Sequence, residues 1–171
     1  ASRTVLAIGG AWDAALTSGT THLLSRAAYT KKAVLASGTR GRIRVVSPEW
    51  LQRSVEQARL QPEDGFRPAL LQGVVICVTA ISPSARQRVQ ELVVRHGGIY
   101  DAHLRRPASS RPTTHLLTEP NYVNSGGVGG SEKLRAAKQW GVPVVHVLWL
   151  LDAVGNGVLA DPARYTIPGF A

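Results

Sequence analysis

The residues of this 171-residue chain that could do chemistry are five histidines, one cysteine, a glycine run that ends near a lysine, and an excess of basic side chains. The run Gly126-Gly127-Val128-Gly129-Gly130-Ser131-Glu132-Lys133 superficially resembles a phosphate-cradling loop. Such a loop needs Gly-Lys followed by Ser or Thr, directly after a strand. Here Glu132 precedes the lysine and Leu134 follows it, so the glycines predict a flexible loop over 124–130. His22 and His115 stand in equivalent Thr-Thr-His stretches and read as structural histidines in strands rather than as bases. The histidines and Cys77 show no zinc-ligand spacing. No Ser-His-Asp grouping and no paired carboxylates stand out. The chain is therefore expected not to be an enzyme and to need no cofactor and no metal. On residue type alone, Thr79 ends a strand and Lys133 is a solvated helix lysine whose removal should leave stability nearly unchanged.

Twenty Lys and Arg against eleven Asp and Glu give a net charge of +9 and a pI near 10.6. A basic surface attracts nucleic acid, anionic membrane, or phosphorylated and acidic proteins. Charge cannot choose among them, and the arginines are spread along the chain rather than gathered in one tract. A hydrophobic content of 44% is enough to build a core. Cys77 lies in the apolar run Val74-Val75-Ile76-Cys77-Val78 and reads as a small buried hydrophobe. A single cysteine fits a reducing compartment. With no signal peptide and no apolar run long enough to span a bilayer, the sequence predicts a soluble cytosolic or nuclear protein without membrane contact.

The chain contains one unit twice. Gly9-Gly10-Ala11-Trp12-Asp13-Ala14 returns as Gly97-Gly98-Ile99-Tyr100-Asp101-Ala102. Thr20-Thr21-His22-Leu23-Leu24 returns as Thr113-Thr114-His115-Leu116-Leu117. Val45 to Leu51 has its counterpart in Val144 to Leu150, with Trp50 and Trp149 in matching places. The order is the same both times, which marks an internal repeat.

The second unit shows what each copy is built from. Val74 to Val78 is a short β-branched strand. Ser82-Pro83 opens a helix that Gly97-Gly98 ends. Ile99 to Leu104 and Thr114 to Thr118 are the next strands. A second helix runs from Ser131 to Trp140, Val142 to Val145 is the fourth strand, and Trp149, Leu150 and Val154 make a third helix. Strands alternating with helices predict an α/β fold, a mostly parallel four-stranded sheet flanked by helices. The first unit, residues 1–60, is expected to lack its initial strand and to keep strands two to four and all or part of the helices. Residues 61–72, with Pro62, Gly65 and Pro68, read as the linker to the second unit, 73–171.

A Gly-Gly break after helix one, a Thr-His-Leu strand and a Trp in helix three resemble the BRCT repeat, here in two tandem copies covering nearly the whole chain. Val75 to Thr79, His96 to Tyr100 and Ala137 to Trp140 look like the second repeat of the topoisomerase II-binding checkpoint and replication scaffolds. The first unit, with Lys31-Lys32 opening its second helix, looks like the repeat before it. The resemblance implies a nuclear module that reads phosphoserine or phosphothreonine segments of partner proteins, such as a checkpoint clamp tail or a replication-initiation factor. In such repeats the phosphate meets the loop after strand one and the start of helix two. That assigns Thr79, the N–H of Ala80 (where the family usually has Gly) and Lys133. Lys32 takes the equivalent place in the first unit, with its hydroxyl partner outside this sequence. Trp140 could line a peptide groove or belong to the core, and Arg86 could add charge or be surface. The alternatives are a BRCT pair that binds DNA through its basic surface and a phosphate-independent interaction module.

Overall fold

A computed structural model describes residues 2–119 and 131–170. The loop expected over 124–130 lies outside them. The chain divides into two compact units, residues 1–68 and 69–171, and the boundary falls inside the segment expected as linker.

In the second unit, β3 (Val75–Val78), β4 (Ile99–Tyr100), β5 (His115–Thr118) and β6 (Val144–His146) form one sheet in the order β4-β3-β5-β6, parallel throughout. Both β3 and β5 are buried along their whole length, as central strands covered on two faces must be. The helices are α4 (Pro83–Arg95), α5 (Glu132–Trp140) and α6 (Leu148–Asn156). Ser82 caps α4 by accepting the Ala85 N–H at 3.2 Å, and Pro83 opens it, as the sequence predicts. Gly98 N–H closes the far end on Val93 O. Gly97 has φ +80° and a Cβ there would sit 2.6 Å from the Ala69 Cβ, so both backbone conformation and space demand glycine. Cys77, Leu116 and Val144 pack against Leu134 and Ala137 of α5. On the opposite face, Trp149 of α6 stacks on His115. The strand expected over Ile99–Leu104 stops at Tyr100, because the Asp101 carboxylate takes the His103 N–H and turns the chain.

The first unit holds α1 (Ser2–Ala7), β1 (His22–Leu24), α2 (Lys31–Ser37), β2 (Arg44–Val46) and α3 (Pro48–Glu56). Here β1 and β2 pair in parallel with Leu23 opposite Val45, the register in which Leu116 meets Val144. These are the counterparts of strands three and four. The expected second strand is not formed: residues 11–14 carry no strand. In the second unit that strand pairs only with β3, and the described part of the first unit contains no counterpart of β3 for residues 11–14 to join. The presumed linker is packed rather than free. Gln61, Glu63 and Phe66 return onto the first unit, and Leu71 is fully buried in the second.

The repeat is most exact in its side-chain contacts. Trp50 and Trp149 are 7% and 1% exposed, and each indole N–H donates at 2.9 Å to a carbonyl eleven residues on, Gln61 O and Ala160 O. Each indole stacks on the strand histidine before it, His22 at 4.8 Å and His115 at 4.5 Å between ring centres. Each of those histidines meets the hydroxyl of the preceding threonine.

Candidate anion site at the start of helix α5

Strand β3 ends at Val78, and Thr79 follows with its N–H donated to Leu117 O across the sheet. Its side chain turns toward α5 and shares a 2.8 Å hydrogen bond with the Ser131 hydroxyl. Ser131 holds the N-cap position of α5, but its hydroxyl makes no capping bond. Among the described residues, no side chain caps the first-turn N–H groups of α5, and they carry the positive end of the helix dipole. Lys133, in that same turn, lies half-buried across the strand end. Its ammonium donates to Ala102 O at 2.7 Å and Val78 O at 3.1 Å, and rests 3.4 Å from the Cys77 sulfur. Burial raises the Cys77 thiol pKa, and the Lys133 charge partly opposes that rise. Ala80 adopts φ +51°, a conformation that suits glycine better than alanine. The Thr118 hydroxyl is fully buried and has no partner among the described residues.

Thr79 thus meets Ser131, and the Lys133 ammonium rests on the Val78 carbonyl just before Thr79, with Ala80 next in the chain. Hydroxyls, a fixed cation and the N–H groups of a helix start are the kinds of donor a phosphate group needs. The reading of Lys133 as a merely solvated lysine is corrected: three acceptors hold its head group. Ser131 was legible in the sequence only as a helix cap; its pairing with a residue 52 positions away left no local signal.

The first unit repeats part of this. Lys32, in the first turn of α2, donates to Ala14 O, the counterpart of Ala102. Asp13 accepts the Ala15 N–H as Asp101 accepts that of His103. Lys32 meets no threonine or serine hydroxyl among the described residues.

Comparison with known families matches the twin BRCT domain over residues 1–50 and 74–149. The chain belongs to the BRCT family. Twin BRCT domains are interaction modules. Among its relatives, the S-M checkpoint control protein rad4 of Schizosaccharomyces pombe is 27% identical over 94% of this chain. The mouse PAX-interacting protein 1 is 31% identical over 71% of it. The chain spans only 24% and 11% of those two proteins. Two crystal structures of Rad4 BRCT1,2 align over 97% of this chain and 88% of theirs. The first, in complex with a Crb2 phosphopeptide, has a TM-score of 0.70 at 25% identity; the second, with an Mdb1 phosphopeptide, has 0.69 at 26%. The likeness to the first and second repeats of a checkpoint protein agrees with the sequence reading.

The other residues singled out from the BRCT resemblance lie apart from Lys133. Trp140 is seven residues further along α5, half-buried against the core with Leu104 and Phe170 nearby, and the Arg106 guanidinium lies 5.3 Å from its ring centre. Arg86 is exposed on α4, where its charge acts on the Tyr100 hydroxyl. No group of three or more potential metal ligands occurs among the described residues, and no helix there is long and apolar enough to cross a membrane.

Proposed function

We propose that this BRCT pair is a scaffold module of checkpoint or replication signalling that binds phosphoserine or phosphothreonine segments of partner proteins through its second unit. The observation that carries the reading is the convergence of the Thr79 and Ser131 hydroxyls with the Lys133 ammonium at the uncapped start of α5. The likeness to a BRCT pair crystallised with phosphopeptides supports it. The partners it points to are a checkpoint clamp tail or a replication-initiation factor, and the compartment is the nucleus. The Ala80 N–H lies beside the site and serves as a further donor. Among the described residues Lys32 meets only Ala14 O and no hydroxyl, so the reading rests on the second unit.

The net charge of +9 favours a second reading, a duplex-DNA binder. Titration of this chain with Crb2 and Mdb1 phosphopeptides, their unphosphorylated forms and a short DNA duplex separates the two. The expected result is binding that needs the phosphate, survives excess duplex, is lost in Lys133→Glu and is kept in Lys32→Glu. Binding that ignores the phosphate, or that duplex displaces, refutes the reading. Loss in Lys32→Glu with Lys133→Glu intact moves the site to the first unit.

A further inference from the structure

Helix α5 carries Lys133 and Trp140 seven residues apart, two turns along one face. The segment after β4 runs beside it: Ala102 meets Lys133 at one end, and Arg106 lies over Trp140 at the other. A strip about 10 Å long therefore joins the candidate phosphate site to Arg106. The segment is pinned in place. Leu104 packs into the core, Arg105 N–H donates to the Thr113 hydroxyl at 2.8 Å, and Ser109 donates twice to Arg106 O.

The charges along the strip are not balanced. Arg105 is paired with Asp101 at 3.0 Å. Arg106 makes no ion pair with any carboxylate among the described residues. Arg106 is exposed and its placement rests on the Trp140 ring, while Lys138 lies 6.0 Å from the Phe170 ring centre. An arginine on an aromatic face keeps its N–H edge free for a second, planar, negatively charged partner.

We infer that Arg106, held over Trp140, is a second anion subsite that selects phosphopeptides with an acidic or second phosphorylated residue three or four positions from the phosphate bound at Lys133. The inference rests on the proposed phosphopeptide reading. An extended peptide covers about 3.3 Å per residue, so roughly three residues span the strip. Arg106 is a specificity residue, because the bound phosphate itself lies with Thr79, Ser131 and Lys133. The contact is partly solvated, so it is expected to favour an acidic side chain about three- to fivefold.

The test passes a degenerate phosphothreonine peptide library, and its unphosphorylated twin, over the intact chain and its Arg106→Glu and Arg106→Gln variants, and reads enrichment position by position. The expected result is retention of the phosphorylated library alone, with Asp and Glu enriched at the third or fourth position on one side. In Arg106→Gln that enrichment disappears; in Arg106→Glu it turns to Lys and Arg, with phosphate-dependent retention unchanged in both. A flat acidic profile at those positions, or a profile that both variants leave intact, overturns the subsite and leaves the phosphopeptide reading standing. Equal retention of both libraries overturns the two together.

Discussion

Replacing Lys133 by Met keeps the aliphatic stem and removes the ammonium, which isolates what that charge does. In the folded protein it donates to Ala102 O and Val78 O at 2.7 and 3.1 Å. A hydrogen bond from a charged donor contributes about 1.5–3 kcal/mol net. Ala102 is exposed, so water can replace the ammonium at its carbonyl, whereas Val78 is fully buried; the loss is therefore close to that of one charged hydrogen bond, about 1.5–3 kcal/mol. For a unit of this size, that lowers Tm by roughly 5–15 °C. Lys32→Met in the first unit breaks one bond from an exposed side chain, at Ala14 O, and should cost at most about 1 kcal/mol. Urea unfolding, followed by hydrogen exchange at β3 and β5 and separately at β1 and β2, assigns each loss to its unit. The midpoint should fall without a change in slope. Phosphopeptide affinity should fall about tenfold or more in Lys133→Met. Unchanged stability in that variant would refute the argument, since the ammonium would then be a free surface charge rather than one held by the strand ends.

Three further outcomes follow from particular residues. Ala80→Gly relieves a φ of +51° and should stabilise the second unit by about 0.5–1 kcal/mol in urea unfolding, with phosphopeptide affinity equal or higher. Burial holds the His115 imidazole at a pKa of about 4, below its ordinary 6.5. The unfolded chain then binds the extra proton first, so the contribution is complete above pH 6.5 and is lost as pH falls from 6.5 toward 4, by up to about 3 kcal/mol. His115→Gln should flatten that part of the pH–stability curve; an unaltered slope rules this residue out as its cause. Trp149→Phe strands Ala160 O and should cost about 1–3 kcal/mol, and Trp50→Phe should do the same at Gln61 O, each read from the hydrogen exchange of its own unit.

Period and punctuation made the second unit legible. Pro83 and Gly97-Gly98 bound α4, Gly141 ends α5, and the runs at Val75 and His115 are central strands, because each of these signals acts within a few residues of chain. The tryptophans could be placed because the repeat supplied two copies of one environment. What depends on distant partners was not legible. Ser131 read as a cap although its hydroxyl serves Thr79, and His22 and His115 showed as strand residues without their indole partners. The strand not formed at residues 11–14 differs: a β-strand needs a neighbour, and the sequence already predicts a first unit lacking its initial strand, so only the consequence for the next strand was left undrawn. Family resemblance singles out Lys133, but its three acceptors come from Cys77, Val78 and Ala102, which no local pattern connects to it.

Two of the contacts that repeat between the units are one-sided in their demand on sequence. A particular side chain donates, from Trp50, Trp149, Lys32 or Lys133, and a main-chain oxygen receives, at Gln61, Ala160, Ala14 or Ala102. Any residue brings that oxygen. Mutational constraint should therefore fall on the donors alone, while the receiving positions drift freely so long as the backbone path is kept. Gln61 and Ala160 already differ although they do the same work. A saturation scan should thus be uneven, least tolerant at Trp50, Trp149 and Lys133, milder at the exposed Lys32, and permissive at the four partners. Two copies of such a unit can lose most of their mutual similarity while every one of these bonds persists.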